Sequence, residues 1–169
     1  MGKGSKNLPE NVSAYLAACK EVTDEVVFKF LAKLGLECVN RIRNRSKEES
    51  WNDQTGNLRS SIGYLVTRDG QILTQGGFEP TDAPKGNGAQ GQKDGENYAT
   101  GLVGALSRSR MVLIVVAGME YAVYVEARDN KDVLASTQLW AEKQVEQEMK
   151  NLEKTLQKRW DALAKKFNL

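Results

Sequence analysis

The stretch Ile62-Gly63-Tyr64-Leu65-Val66-Thr67-Arg68-Asp69-Gly70-Gln71-Ile72-Leu73-Thr74 decides the fold class. Ile62, Tyr64 and Val66 alternate with Gly63, Leu65 and Thr67, the period-two pattern of a strand with two distinct faces. The Asp69-Gly70 step that follows adopts positive φ at little cost, so the runs on either side of it predict a β-hairpin. Further along, Met111-Val112-Leu113-Ile114-Val115-Val116 is a continuous apolar run rich in β-branched residues. It predicts a third strand, buried on both faces.

Outward from these strands the period becomes helical. Val27, Phe30, Leu31, Leu34, Cys38 and Ile42 recur three and four residues apart, and Thr23 with Asp24 and Glu25 after it predicts the capped start of that helix. Residues 12–20 form either a short separate helix or part of the same one. The helix closes in Arg41, Arg43, Arg45 and Lys47, where positive charge meets exposed carbonyls at the C-terminal end. The same cluster has the chemistry to touch phosphate, although Glu48 and Glu49 follow at once and no aromatic residue interleaves.

At the far end, Val145, Met149, Leu152, Leu156, Trp160, Leu163 and Phe167 keep spacings of four and three in a segment without glycine or proline. This predicts one long amphipathic helix over 132–167. Met149, Leu152, Leu156, Trp160, Leu163 and Phe167 form its seam, to be covered either by the N-terminal helix or by another subunit. Tyr98 to Leu106 suits a short helix despite Gly101 and Gly104. Residues 1–10 read as a flexible polar tail, and 77–97, dense in glycine and proline and without apolar periodicity, as a flexible loop. The whole is a single α+β domain over 1–169: a small antiparallel β-meander packed against a long N-terminal helix, with a long C-terminal amphipathic helix.

Composition narrows the function. Hydrophobic residues make up 40% and charged residues 27%, ordinary globular usage, so the chain is expected to fold. A net charge of +2 creates no field that would draw it strongly to nucleic acid or anionic lipid. No run of about 18 apolar residues offers a membrane span, and residues 14–19 are too short for the core of a secretory signal. Cys19 and Cys38 are expected to be buried free thiols.

Histidine is absent, which removes Ser-His-Asp and Cys-His catalysis and imidazole metal sites. Asp53, Glu79, Asp82, Asp94 and Glu96 do not follow the alternating spacing of a calcium loop. Gly86-Asn87-Gly88-Ala89-Gln90-Gly91 lacks the preceding strand, the Gly-Lys-Ser/Thr and the capped helix of a phosphate loop. Ser60 and Ser61 have no evident base. The chain is therefore expected not to be an enzyme and to use no cofactor, metal or small-molecule substrate.

Two segments stand out: Trp51-Asn52-Asp53-Gln54-Thr55-Gly56-Asn57-Leu58-Arg59-Ser60-Ser61-Ile62 and Ala117-Gly118-Met119-Glu120-Tyr121-Ala122-Val123-Tyr124-Val125-Glu126. In the first, Thr55 can cap a short turn, Gly56 can take a left-handed conformation, and Leu58 and Ile62, four apart, can drop into the core. The start of Tyr121 to Glu126 suits either a strand or a helical turn. Together the two segments resemble the tail-completion family of long-tailed bacteriophages. That family has a Thr-Gly-x-Leu-Arg-x-Ser-Ile signature leading into a β-meander and a later Tyr-Ala-x-Tyr-Val-Glu segment.

The first signature is matched by Thr55, Gly56, Leu58, Arg59, Ser61 and Ile62, the second by Tyr121, Ala122, Tyr124, Val125 and Glu126. The resemblance runs from about residue 23 to 139. It breaks where the family continues with a Phe-Gly-Thr turn and a Pro-Phe, since this chain has Ala127-Arg128-Asp129-Asn130-Lys131-Asp132-Val133. The resemblance implies a virion structural protein, made in the cytoplasm of the bacterial host, that joins head to tail. It further implies a ring-like homo-oligomer that contacts other neck and tail proteins. The alternative is an accessory protein whose Arg41, Arg43 and Arg45 make weak, non-specific DNA contacts. Arg59 and Glu126, each closing an apolar motif, are also expected to pair.

Overall fold

A computed structural model describes residues 10–46, 48, 50–105, 111–127 and 132–169. In chain order its elements are α1 (Glu10–Arg43), α2 (Asn57–Ser60), β1 (Ile62–Arg68), β2 (Gln71–Gly77), α3 (Ala89–Val103), β3 (Met111–Ala117), α4 (Ala122–Ala127) and α5 (Ala135–Lys166). The fold is α+β, as the periodicities indicate. Two compact units divide it: one drawn from residues 1–28 and 145–169, the other from 29–144.

In the larger unit β1 and β2 form the expected hairpin. Arg68 faces Gln71, leaving a two-residue turn with Asp69 at φ 54° and Gly70 at φ 78°. Positive φ at both centres is the turn whose twist matches antiparallel strands. β3 then pairs antiparallel with β1, giving the strand order β2-β1-β3, and α3 fills the connection between β2 and β3. The apolar run Met111 to Val116 is thus an edge strand, half-buried over its first five residues, and not the strand covered on both faces. That position belongs to β1, which is buried from Ile62 to Thr67. Place in the sheet decides burial here, and the glycine of β1 serves it: a Cβ at Gly63 would lie 2.4 Å from the Phe78 ring.

One face of β1 sets Leu65 into a core of Phe78, Ala99, Val103 and Val116, with Leu102 and Ile114 against it. On the other face Tyr64 meets α1, where a Cβ on Gly35 would stand 2.4 Å from its ring and 2.9 Å from Leu113. The sheet lies between the later part of α1 and α3.

Three sequence expectations change. Thr23 does not open a helix: α1 begins by Glu10, residues 12–20 belong to it, and the Thr23 hydroxyl donates to the Cys19 carbonyl at 2.7 Å inside the helix. A threonine in mid-helix satisfies itself on the preceding turn, so its capping chemistry is spent locally. The loop expected over 77–97 ends early, because α3 starts at Ala89, and its buried face is Gly91, Gly95, Ala99 and Val103. The short helix expected from Tyr98 is the second half of this one, and Leu106 lies outside the described residues. The tail expected over 1–10 also lies outside them, except Glu10, which is helical.

In the smaller unit the first part of α1 and the last part of α5 run antiparallel. Tyr15 meets Phe167 edge-on with ring centroids 6.2 Å apart, and Arg159 pairs with Glu25 at 2.8 Å. Of the two covers weighed for the seam, the chain supplies the N-terminal helix. Leu152, Leu156, Trp160, Leu163 and Phe167 are half-buried, and Met149 stays exposed.

Both cysteines are free. Cys19 is half-buried, whereas Cys38 is buried in the larger unit, where burial pushes its thiol up to about 11. Maleimide at neutral pH is therefore expected to label Cys19 first and Cys38 only slowly, with the difference disappearing in urea; mass mapping of the labelled peptides checks this.

Candidate functional site

The two motif segments meet at one end of the sheet. Asp53 organises the first: its Oδ1 accepts from the Gly56 N–H and its Oδ2 from the Arg59 N–H, each at 2.8 Å. Gly56, at φ 76°, turns the chain so that α2 can begin. The Thr55 hydroxyl accepts from the Asn57 N–H at a longer 3.3 Å, so Asp53 and not Thr55 is the principal cap. An Asp three residues before a glycine, ahead of a short apolar turn, was the available signal.

Leu58 and Ile62 are 1% and 0% exposed and anchor the segment as their spacing indicates. Ser60 and Ser61 are fully buried. The Ser60 hydroxyl accepts from the Thr81 N–H at 2.9 Å and that of Ser61 donates to the Leu58 carbonyl at 2.8 Å, which makes both of them packing groups.

The second segment is joined to the first at two points. Ala117 pairs with Ile62 in the sheet, and the Gly118 N–H donates to the Ser61 carbonyl at 3.1 Å. Burial raises the Tyr121 pKa, nearby Asp53 adds to this, and the Thr55 side chain opposes it. From Ala122 the segment is helical, α4. Ala122 is buried, while Val123 and Tyr124 are 72% and 76% exposed.

Glu126 does not pair with Arg59. Its Oε1 accepts from the N–H groups of Leu134 and Ala135, at 3.0 and 2.6 Å, and so caps α5. A helix start leaves N–H groups without internal partners, and a carboxylate is well matched to them. Arg59 instead lies over the Trp51 ring, 5.0 Å from its centroid. Burial lowers the pKa of this guanidinium, with Asp53 opposing the shift.

The arginine cluster is largely committed within the chain. Arg45 pairs with Asp132 at 2.7 Å and donates to the Asp132 carbonyl and to the hydroxyls of Ser136 and Thr137. Arg43 donates to the Glu79 carbonyl and the Thr81 hydroxyl, at 3.1 and 3.2 Å. Arg41 sits 5.3 Å from the Trp140 centroid and, with Asn44, Arg45 and Asp132, lines an open cleft of about 390 Å³. Lys47 lies outside the described residues.

Among the described residues no three His, Cys, Asp or Glu side chains gather as a metal-binding group, and no helix is long and apolar enough to cross a membrane. The site is thus a packed frame carrying an exposed tyrosine-bearing helix. Compared with known proteins, the chain matches no family profile, no curated protein and no solved structure.

Proposed function

We propose that this protein is a virion structural component of a tailed bacteriophage or prophage, acting at tail completion and head–tail joining through subunit surfaces. The observation that supports this reading is the juxtaposition of the two signature-like segments, joined by the Ala117–Ile62 pairing and the Gly118 to Ser61 hydrogen bond. Segments far apart in the chain form one frame, and the frame displays Val123 and Tyr124 outward where a neighbouring subunit can cover them. DNA contact is the weaker reading, since Arg45 and the Nη2 of Arg43 bond to internal partners and the Arg43 Nη1 is buried.

Particle composition tests the proposal. Virions induced from the bacterium that carries the gene and purified on a density gradient should contain the protein, and antibody-gold should mark the neck. Particles that are complete, infectious and free of it would overturn the reading.

A further inference from the structure

Beside the motif frame, α3 and the turn before α4 enclose a cleft of about 480 Å³. Asp94 and Tyr98 reach it from α3, and Met119, Glu120 and Tyr121 from the turn. Its floor is backbone: Gly118 rests on Gly95, so closely that a Cβ at Gly118 would lie 2.4 Å from the Gly95 Cα. Tyr98 and Tyr121 are 53% and 39% exposed, which is more aromatic surface than a closed fold needs to leave in water.

Two carboxylates, two tyrosine rings and a thioether surround the opening, and among the described residues no lining side chain is basic. The π-faces of tyrosine attract cations, carboxylates add charge-assisted hydrogen bonds, and methionine adapts to an alkyl stem. Asp94 already accepts from Gln90 Nε2 at 2.7 Å, which holds its carboxylate in place. A planar guanidinium suits this set better than an ammonium: it stacks on an aromatic face while its fork of N–H groups meets carboxylate. The chain makes the same stacking contact internally, with Arg59 over Trp51 and Arg41 over Trp140.

We propose that this cleft is a docking site for an arginine side chain presented by a partner protein. The charge of the occupant follows from Asp94 and Glu120, with no basic side chain among the described residues that line the cleft, and its flat head from the two tyrosines. The docking site and the virion role fail separately, since particle composition decides the latter and solution binding the former.

The test is a titration of the full ¹⁵N-labelled chain with N-acetyl-arginine N-methylamide, followed by amide chemical shifts. The citrulline analogue, of the same shape without the charge, and the lysine analogue serve as comparison probes. Saturable shifts at Asn97, Gly118 and Met119 are expected with the arginine probe. The citrulline probe should bind about ten-fold more weakly, and Tyr98→Ser and Glu120→Gln should each weaken arginine binding about three- to ten-fold. Both positions are exposed, and an otherwise unchanged amide spectrum shows that each variant folds. Equal response to citrulline, tighter binding of the lysine probe, shifts confined to other parts of the chain, or unchanged affinity in both variants would overturn the proposal.

Discussion

Gly91→Val is expected to destabilise the protein by about 3 kcal/mol, whereas Gly101→Ala, ten residues on in the same helix, is expected to stabilise it by about 0.5–1 kcal/mol. The two glycines share a helix and a chemistry but differ in surroundings. A Cβ on Gly91 would stand 1.9 Å from the Asn57 carbonyl oxygen and 2.5 Å from the Asn57 Cα, both backbone atoms that no rotamer change can move aside. Gly95 repeats the arrangement one turn later, 2.5 Å from the Ser61 carbonyl oxygen. The small-residue face of α3 therefore lies directly on the backbone of the first motif, and a branched side chain at Gly91 would have to lift the helix off α2. Around Gly101 nothing lies within 4 Å, so alanine there meets no resistance and gains helix propensity. Urea unfolding of the two variants beside the parent chain measures both effects. A Gly91→Val midpoint equal to that of the parent would show that α3 does not rest on the motif.

This glycine face explains why part of the fold was illegible in the sequence. Gly86, Gly88, Gly91 and Gly95 have the composition of a loop, and helix propensity penalises each of them. What marks α3 is the four-residue recurrence of Gly91, Gly95, Ala99 and Val103, a small-residue stripe that a search for large apolar side chains overlooks. The hairpin was legible because every device it uses is local: alternation in β1 and Asp69-Gly70 at the turn. The exchange of roles between β1 and β3 was not, because burial of a strand depends on which neighbours it acquires, and that is set by pairings up to 55 residues apart, as with Ile62 and Ala117. In the candidate site, Leu58 and Ile62 announced themselves by spacing. Asp53, Glu126 and Arg45 did not, since a charged residue in a polar stretch looks the same whether it faces water or caps a distant backbone.

Arg45→Met is expected to cost about 3 kcal/mol, and Arg45→Lys most of that, because the loss is one of geometry as well as of charge. With its side chain 10% exposed, Arg45 ties the chain after α1 to the start of α5. One guanidinium serves the Asp132 carboxylate and carbonyl together with the Ser136 and Thr137 hydroxyls. A methionine fills comparable space but leaves Thr137, which is 2% exposed, without its donor and Asp132 without its counter-charge. An ammonium restores charge yet has no fork with which to reach all four oxygens.

The pH dependence should change with it. Burial pushes the Asp132 carboxyl up, but the hydrogen bonds from Ser136 and the Arg45 guanidinium together outweigh it and hold the group below the ordinary carboxylate range. A carboxyl lowered on folding contributes stability above its unfolded pKa, and that contribution is lost as pH falls through the folded value. In the parent chain this loss comes only in the acid range. In Arg45→Met the Ser136 hydrogen bonds remain but the guanidinium's share of the opposition to burial is lost, so the carboxyl titrates at a higher pH and Asp132 contributes less to stability. Urea midpoints taken from neutral to acid pH should therefore separate the two chains most at neutral pH and bring them together as the solution is acidified. A gap that stayed constant over that range would mean that Arg45 acts through packing alone and that the ion pair with Asp132 contributes nothing.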